Sequence, residues 1–131
     1  MEKGVESRFV QTKREISSIM ILTAADELFN HVDTNQPMWS QDGDRMVKEK
    51  ITFISAFAET PCVTLGLTGM DAAHDQNLRY ALQAVDITKE GFVINFATWG
   101  DTHIARVTTS WQAIGKAKLD IVKVSNKLHK K

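Results

Sequence analysis

Apolar and polar residues alternate with a period of two along most of the chain after Lys50. The alternation is clearest in Ile51–Phe57, Cys62–Thr68, Tyr80–Ile87, Phe92–Thr98 and Ile104–Ile114. These segments are rich in β-branched and aromatic residues, which favour strands. Because no helical pattern separates them, they predict an all-β fold, an antiparallel sandwich.

Short turns separate these predicted strands. Lys89–Gly91 predicts a tight hairpin in which Gly91 takes a positive φ, and Trp99–Thr102 predicts a second turn. Within Tyr80–Ile87 the apolar positions change phase, which indicates a β-bulge. The stretch Asp33–Arg45 is dense in turn-forming residues and predicts a long surface loop.

The N-terminal third has a less decisive pattern. Arg8–Arg14 fits a strand. Ile16–Phe29 fits a helix, because its apolar residues recur on one helical face, but it also contains the strand-like run Ile19–Leu22. Both interpretations of Ile16–Phe29 therefore stay open, and the segment from Lys118 onward is equally ambiguous.

Length and charge place the chain among ordinary single domains. Its 131 residues suffice for one domain with its own core. Basic and acidic residues number 16 each, and a net charge of zero disfavours non-specific nucleic-acid binding. The charge is unevenly spread, since residues 116–131 carry six Lys and one Asp. This end is predicted to be a solvated basic tail on an acidic body.

The number of cysteines and the length of the apolar runs indicate where in or outside the cell the protein is expected. Cys62 is the only cysteine, so no disulfide forms within the chain, as is typical of reducing compartments. Its position at the start of an apolar run predicts a buried, inert thiol. No stretch reaches the ~18 apolar residues of a membrane span, and the first residues lack the apolar core of a secretory signal. We therefore expect no membrane span, and a cytoplasmic location or secretion by a leaderless route.

Motifs of the common enzyme classes are absent from the sequence. The four histidines are widely scattered, without zinc-ligand spacing. Asp42 and Asp44 share a loop but lack the distal glutamate of a calcium loop. There is no nucleophile elbow and no glycine-rich phosphate loop. We expect no enzyme activity, no metal and no cofactor, which leaves a hydrolase as the weakest hypothesis.

Polar and aromatic residues cluster beside three turns, at residues 39–44 (WSQDGD), 76–79 (QNLR) and 99–103 (WGDTH). An aspartate accepts hydrogen bonds from sugar hydroxyls, an arginine donates to sugar oxygens, and an indole packs on the apolar face of a pyranose. The same residue types also fit a turn aspartate, a surface ion pair and a core tryptophan. Residue type alone therefore leaves a sugar site and an ordinary surface both open.

A set of short motifs runs from about Lys50 to Ile114. They are Ile51-Thr52-Phe53 with Phe57, Pro61 with Val63, Thr68 with Met70-Asp71, Asn77-Leu78-Arg79, Asp86-Ile87-Thr88 with Gly91-Phe92, Thr98-Trp99 with Thr102, and Ser110-Trp111. In this combination the chain resembles the H-type lectin domain over about half of its length. The specificity lies in the combination of motifs, since no single one is decisive.

The resemblance implies a fold, an assembly and a ligand. The fold is a six-stranded antiparallel β-sandwich that assembles as a trimer or a stacked hexamer. The ligand is a glycan ending in N-acetylgalactosamine or galactose, bound without metal at a subunit boundary. The chain then divides into an N-terminal extension (1–35), a lectin-like sandwich (36–115) and the basic tail (116–131).

The resemblance also assigns candidate sugar-binding residues. Carried over position by position, the family's aspartate falls on Asp42, its arginine on Arg79 and its tryptophan on Trp99. Asp44 lies in the same loop as Asp42 and is the alternative for that position. Ser40 precedes Asp42 by two residues, where backbone contacts to the sugar are expected.

Two positions depart from the family pattern. Gly100 follows the tryptophan where a histidine is usual, and Ala105 stands where a tyrosine is common. Gly100 stays among the candidate site residues, and His103, a little further on, is a candidate substitute for the missing histidine. These departures support a second hypothesis, in which the same trimer is a structural or protein-interaction module with a degenerate sugar site.

Overall fold

The computed structural model describes residues 8–119, which form seven strands and one short helix. In chain order the elements are β1 (Thr12–Ile16), β2 (Ile19–Asn30), α1 (Pro37–Ser40), β3 (Arg45–Thr52), β4 (Cys62–Ala72), β5 (Ala81–Val85), β6 (Gly91–Thr98) and β7 (Ile104–Lys116). Within the described residues no helix is long and apolar enough to cross a bilayer.

The strands form two antiparallel sheets. The larger sheet has the order β1-β2-β7-β4, and the smaller sheet has the order β3-β6-β5. The predicted all-β antiparallel sandwich is confirmed. The resemblance implies six strands, and the described residues contain a seventh because β1 forms a hairpin with β2 at the edge of the larger sheet.

The ambiguous N-terminal segment Ile16–Phe29 is extended, so its helical interpretation is wrong. β2 pairs with β7 along most of its length, and its alternate residues Met20, Leu22 and Ala24 are buried. A register shift between Glu27 and Phe29 then turns two successive residues, Leu28 and Phe29, into the core. The strand resembles a helix in sequence because its outward face also carries isoleucines.

The core lies between the two sheets and is dominated by aromatic rings. Trp111 of β7 contacts Phe53 and Phe92 with ring centroids 5.9 and 5.3 Å apart. Phe57 packs edge-on against Phe53 at 5.1 Å. Edge-on and tilted contacts are the favourable geometries for such rings. Truncating a buried aromatic side chain of this kind costs about 3–5 kcal/mol, so this cluster stabilises the sandwich.

One predicted strand is displaced along the chain. β3 begins at Arg45 and ends at Thr52, whereas alternation predicts a strand over Ile51–Phe57. Phe53 and Phe57 are nevertheless buried, because their backbone N–H groups donate to the carbonyl oxygens of Glu90 and Lys89. The two phenylalanines therefore reach the core from an irregular segment that follows the end of β3.

Two predictions about local geometry are also wrong. The only described glycines with a positive φ are Gly43 and Gly100, and Gly91 is required for a different reason. A Cβ on Gly91 would lie 2.1 Å from the carbonyl oxygen of Ile51. The bulge predicted in Tyr80–Ile87 is absent, because β5 pairs with β6 without a register shift. The phase change marks the end of β5, where Asp86 has a φ of 53°.

Cys62 is exposed and not buried as its neighbours predict. It pairs with Ile114, and both side chains lie on the outer face of the larger sheet. The apolar run that contains Cys62 sends only alternate residues inward, beginning with Val63. Cys62 directly precedes Val63, so its thiol points to the opposite, outer face of the sheet.

The division at residue 35 stays a prediction. Residues on the N-terminal side of that division contribute to the common core through β2, which pairs with β7. Of the predicted basic tail, residues 116–119 are described, and residues 120–131 lie outside the described part of the chain, as do residues 1–7.

Candidate functional site

Three connecting segments meet at one end of the sandwich. They are the loop that contains α1, the segment before β5 and the turn between β6 and β7. The carbonyl oxygen of Gly100, in the turn, accepts hydrogen bonds from the Gly43 N–H at 2.8 Å and from Arg45 Nη2 at 3.1 Å. The loop and the turn are thereby held together.

Arg45 fixes the loop from within. Its side chain is buried, and besides Gly100 it donates to the carbonyl oxygens of Pro37, Met38 and Gly43 at 3.4, 3.3 and 2.8 Å. Burial lowers the pKa of Arg45 from its ordinary value, and two acidic residues of the same loop oppose that shift. A buried guanidinium is tolerated here because carbonyl oxygens satisfy its donors.

His31 holds the other end of the loop. Its Nδ1 accepts a hydrogen bond from the Met38 N–H at 3.1 Å, and its ring contacts Phe29 with centroids 4.8 Å apart. Burial lowers the pKa of His31, because desolvation disfavours the charged imidazole. The neutral ring is the form that can accept this bond.

Arg79 is attached to the turn between β6 and β7. Its Nη1 donates to Asp101 Oδ1 at 2.7 Å and to Thr102 Oγ1 at 3.2 Å. Its backbone carbonyl accepts a hydrogen bond from the Thr98 hydroxyl. The hydrogen bond from Arg79 lowers the pKa of Asp101. The guanidinium is therefore oriented at two points while its side chain keeps 29% of its surface exposed.

Gly100 lies directly beneath this guanidinium. It has a φ of 71°, and a Cβ at this position would lie 3.0 Å from Arg79 Nη1 and 3.2 Å from Arg79 Cζ. Both the backbone conformation and the lack of space favour glycine. The departure from the family's histidine therefore accompanies a close approach of Arg79 to the turn.

Asp42 contacts His103 directly. Its Oδ1 lies 2.6 Å from Nε2 of His103, while 71% of the aspartate side chain remains exposed. On the other side of the ring, Nδ1 of His103 lies 2.9 Å from Gln76 Nε2. The Trp39 ring lies edge-on to the imidazole at 6.5 Å. His103 thus joins the loop to the segment that precedes Arg79.

Trp99 and Ser40 lie at the margins of this arrangement. Trp99 keeps 42% of its surface exposed and lines a surface pocket of about 310 Å³ together with Asp44, Arg45, Met46, Ala97 and Thr98. Ser40 ends α1, and its hydroxyl donates to the Gln36 carbonyl at 3.1 Å. Within residues 8–119, no side-chain hydrogen bond joins Trp99 or Ser40 to the other candidates.

The structure therefore brings the sequence-derived candidates together in part. Asp42 contacts His103, and Arg79 lies against Gly100, so these two pairs meet at the turn of residues 99–103. Trp99 begins the same turn, and Ser40 lies in the neighbouring loop. Across the described residues, no group of three or more His, Cys, Asp or Glu side chains is placed to hold a metal ion.

Sequence reasoning missed three residues that organise the site. Gln76 and Asp101 stand inside the polar clusters singled out above, but their partners lie 27 and 22 positions away in the chain. Arg45 carries no such signal, because an arginine after a polar loop resembles any surface cation. Only the folded backbone reveals that it binds carbonyl oxygens.

Comparison with known proteins identifies relatives in sequence. The sequence profile of the H-type lectin domain matches residues 48–114. A protein of Fuscovulum blasticum named ATP synthase subunits region ORF 7 is 43% identical over 93 residues, which are 71% of this chain and 81% of that protein. Discoidin-2 of Dictyostelium discoideum is 29% identical over 76 residues, which are 57% of this chain and 30% of that protein.

Solved structures give a matching fold. Wild-type discoidin II of Dictyostelium discoideum superposes with a TM-score of 0.66 at 23% identity, covering 76% of this chain and 38% of that one. A second structure, of recombinant discoidin II, gives a TM-score of 0.66 at 22% identity and covers 80% and 40% of the two chains. At this identity the likeness shows a shared fold, and the chain spans less than half of the discoidin II chains.

Proposed function

Because this chain belongs to the H-type lectin domain family, we propose that it is a multivalent lectin for terminal N-acetylgalactosamine or galactose. The sugar lies over the turn of residues 99–103, between Asp42 and Arg79. One observation carries the proposal, namely that two side chains of opposite charge are held on this single turn. Asp42 is held through His103, and Arg79 is held through Asp101 and Thr102.

The unused atoms of these side chains suit a sugar. Asp42 Oδ2 accepts no hydrogen bond from the described residues, and Arg79 Nε and Nη2 donate none to them. A carboxylate oxygen accepts from hydroxyls, and a guanidinium edge donates to hydroxyl or carbonyl oxygens. The exposed indole of Trp99 offers a flat apolar surface for the C–H face of a pyranose. No step of bond making or breaking is needed, so the proposed role is binding alone.

The proposed assembly is a trimer of this chain. The outer face of the larger sheet supports an association between copies of the chain, because its central rows are uncharged, one of them across four strands and the next across three. They comprise Thr12, Thr23, Gln112 and Thr64 in one row, and Ala25, Ser110 and Gly66 in the next. Several weak sugar sites on one particle would raise the avidity for a glycan-covered surface. A hexamer would stack two such trimers.

The test is a calorimetric titration of the full chain with N-acetylgalactosamine and with galactose, using glucose as the control sugar. Asp42→Asn keeps an oxygen acceptor for His103 but removes the charge, so it is expected to weaken binding by about tenfold or more. Asp44→Asn is the matched control, since it removes the same charge from the same loop, and it is expected to bind as the wild type does. Equal losses in the two variants would mean that Asp42 has no specific role, and no binding by the wild type would refute the sugar proposal.

One observation favours a different function. Asp42 and Arg79 each already have a partner within the chain, as side chains with a purely structural role would. In this alternative the fold is a structural or protein-interaction module with a degenerate sugar site. A folded, oligomeric wild-type protein that binds none of the sugars in the titration would support it.

A further inference from the structure

The side-chain amide of Gln76 spans the backbone and the ring of one residue, His103. Its Oε1 accepts the backbone N–H of His103 at 2.9 Å, and its Nε2 lies 2.9 Å from His103 Nδ1. The two contacts close a small ring of hydrogen bonds between residues 27 positions apart. Gln76 is half-buried at this point, so its amide is held at both ends.

These contacts determine which way the amide faces. A backbone N–H can only donate, so the atom of Gln76 that faces it must be the carbonyl oxygen. The amide nitrogen then faces Nδ1, and an amide nitrogen can also only donate. Nδ1 of His103 is therefore the acceptor and carries no proton.

The proton of the imidazole consequently lies on Nε2, where it points at Asp42. Nε2–H donates to Asp42 Oδ1 at 2.6 Å. The ring that makes this bond is neutral, so the carboxylate of Asp42 is oriented by a hydrogen bond while its charge is left uncompensated by His103. Its second oxygen accepts nothing from the described residues, and 71% of the side chain is exposed.

We propose that Gln76 is a positioning residue for sugar binding, because it selects the His103 tautomer that aims the Asp42 carboxylate at the ligand. This inference rests on the proposed function, since it names a residue that tunes the same site. Gln76 itself touches no sugar in this arrangement. It acts through the order of donors and acceptors along Gln76, His103 and Asp42.

The experiment replaces the donor at Nδ1 with an acceptor. In Gln76→Glu, the carboxylate still accepts the backbone N–H of His103, but its other oxygen now requires a proton on Nδ1. His103 then lies between two carboxylates and takes protons on both nitrogens. The resulting cation compensates the charge of Asp42, and galactose affinity is expected to fall by about tenfold.

Two measurements on the whole 131-residue chain separate this role from a structural one. The side-chain ¹⁵N NMR spectrum reports which ring nitrogens carry protons, and a galactose titration reports affinity. Gln41→Glu is the matched control, because it adds the same charge beside Asp42 from a side chain that makes no hydrogen bond to the described residues. It is expected to keep the wild-type spectrum of His103 and to reduce affinity less than Gln76→Glu does.

The spectrum of the unsubstituted protein is itself a test, independent of whether any variant folds. A wild-type His103 with its proton on Nδ1, or with both nitrogens protonated near neutral pH, would overturn the inference. So would a Gln76→Glu protein whose His103 spectrum changes while its galactose affinity does not. If the wild type shows the Nε2–H tautomer but binds no sugar, then the proposed function fails and the positioning role fails with it, whereas the tautomer assignment stands.

Discussion

At the scale of single residues, Gly100 has several structural roles although it carries no side chain. Its carbonyl oxygen receives the N–H of Gly43 and the guanidinium of Arg45, while its α-carbon lies under the guanidinium of Arg79. A histidine at this position, as in the family pattern, would need the space that Arg79 occupies. Glycine in place of the family's histidine therefore removes one side chain from the site and, at the same time, leaves the space in which Arg79 packs against the turn.

Gly100→Ala is expected to cost stability and to displace Arg79. The alanine would adopt a left-handed φ of about 71°, which costs about 1 kcal/mol, and its Cβ would press on the guanidinium at 3.0 Å. Gly43→Ala is the control, because Gly43 has a φ of 88° but a Cβ added there would meet no atom within 4 Å. Urea denaturation and galactose titration are the measurements.

We expect both alanine variants to lose similar stability, and only Gly100→Ala to lose sugar affinity as well. An unchanged affinity in Gly100→Ala would show that the position of Arg79 does not matter for binding.

At the scale of elements, the loop around α1 depends on a neutral histidine. His31 Nδ1 accepts the Met38 N–H, and burial lowers the pKa of His31. In the unfolded chain this histidine regains its ordinary pKa of about 6.5. Below that value the unfolded state binds a proton that the folded state resists, so stability falls as the pH falls. The contribution of His31 is fully present above the unfolded pKa and is lost as the pH drops through the folded one.

The expected result is a free energy of unfolding that decreases between about pH 7 and pH 5. In His31→Gln this dependence is weaker, because the glutamine carbonyl can accept from Met38 without titrating. Urea denaturation at a series of pH values measures it. His74→Gln removes an exposed imidazole that makes no side-chain hydrogen bond to the described residues, and serves as the control. Identical pH slopes for the wild type and His31→Gln would contradict this role of the ring.

The elements also show what the sequence could predict. Alternation locates β4, β6 and β7 well, because one face of each packs against the core and the pattern follows directly from side-chain parity. β2 escapes a clear prediction because Ile19 and Ile21 lie on its outer face, so both faces look apolar. β3 is displaced because the phenylalanines beyond it are buried from an irregular segment.

The sequence predicts less of the candidate site than of the strands. The resemblance to the family identifies Asp42, Arg79 and Trp99 by their positions, but it says nothing of the contacts that they make. The contacts that hold the site together are not predicted, because a hydrogen bond such as that from Arg45 to Gly100 spans 55 positions. Such a pairing depends on the register of two strands in the smaller sheet, where Arg45 pairs with Thr98.

At the scale of the whole molecule, the two sheets present unlike outer faces. The smaller sheet exposes Lys48 and Lys50 on its outer face, whereas the central rows of the larger sheet carry none of the four charged residue types. On the larger sheet, Gly66 faces Ser110 so closely that an added Cβ would lie 2.9 Å from the serine oxygen. An uncharged face of this kind is suited to packing against another copy of the chain.

We expect Gln112→Lys to weaken the proposed trimer by placing a charge in the central rows of that face. Gln83→Lys is the control, since it places the same charge at an exposed position on the outer face of the smaller sheet. Sedimentation equilibrium measures the assembly. A shift toward monomer is expected for Gln112→Lys alone, because burying an unpaired charge at an interface is costly. A wild-type protein that is monomeric, or two variants with the same assembly, would rule out this face.

The hydrogen bonds by which Arg45 holds the loop have a consequence for engineering. Its donors bind the carbonyl oxygens of Pro37, Met38, Gly43 and Gly100, and every amino acid supplies the same carbonyl. The path of the loop is thus fixed by Arg45, which lies outside the exposed positions of the loop. Exposed positions such as Ser40 and Gln41 can be randomised in a library while the scaffold keeps its shape, so new glycan preferences can be selected without redesigning the fold.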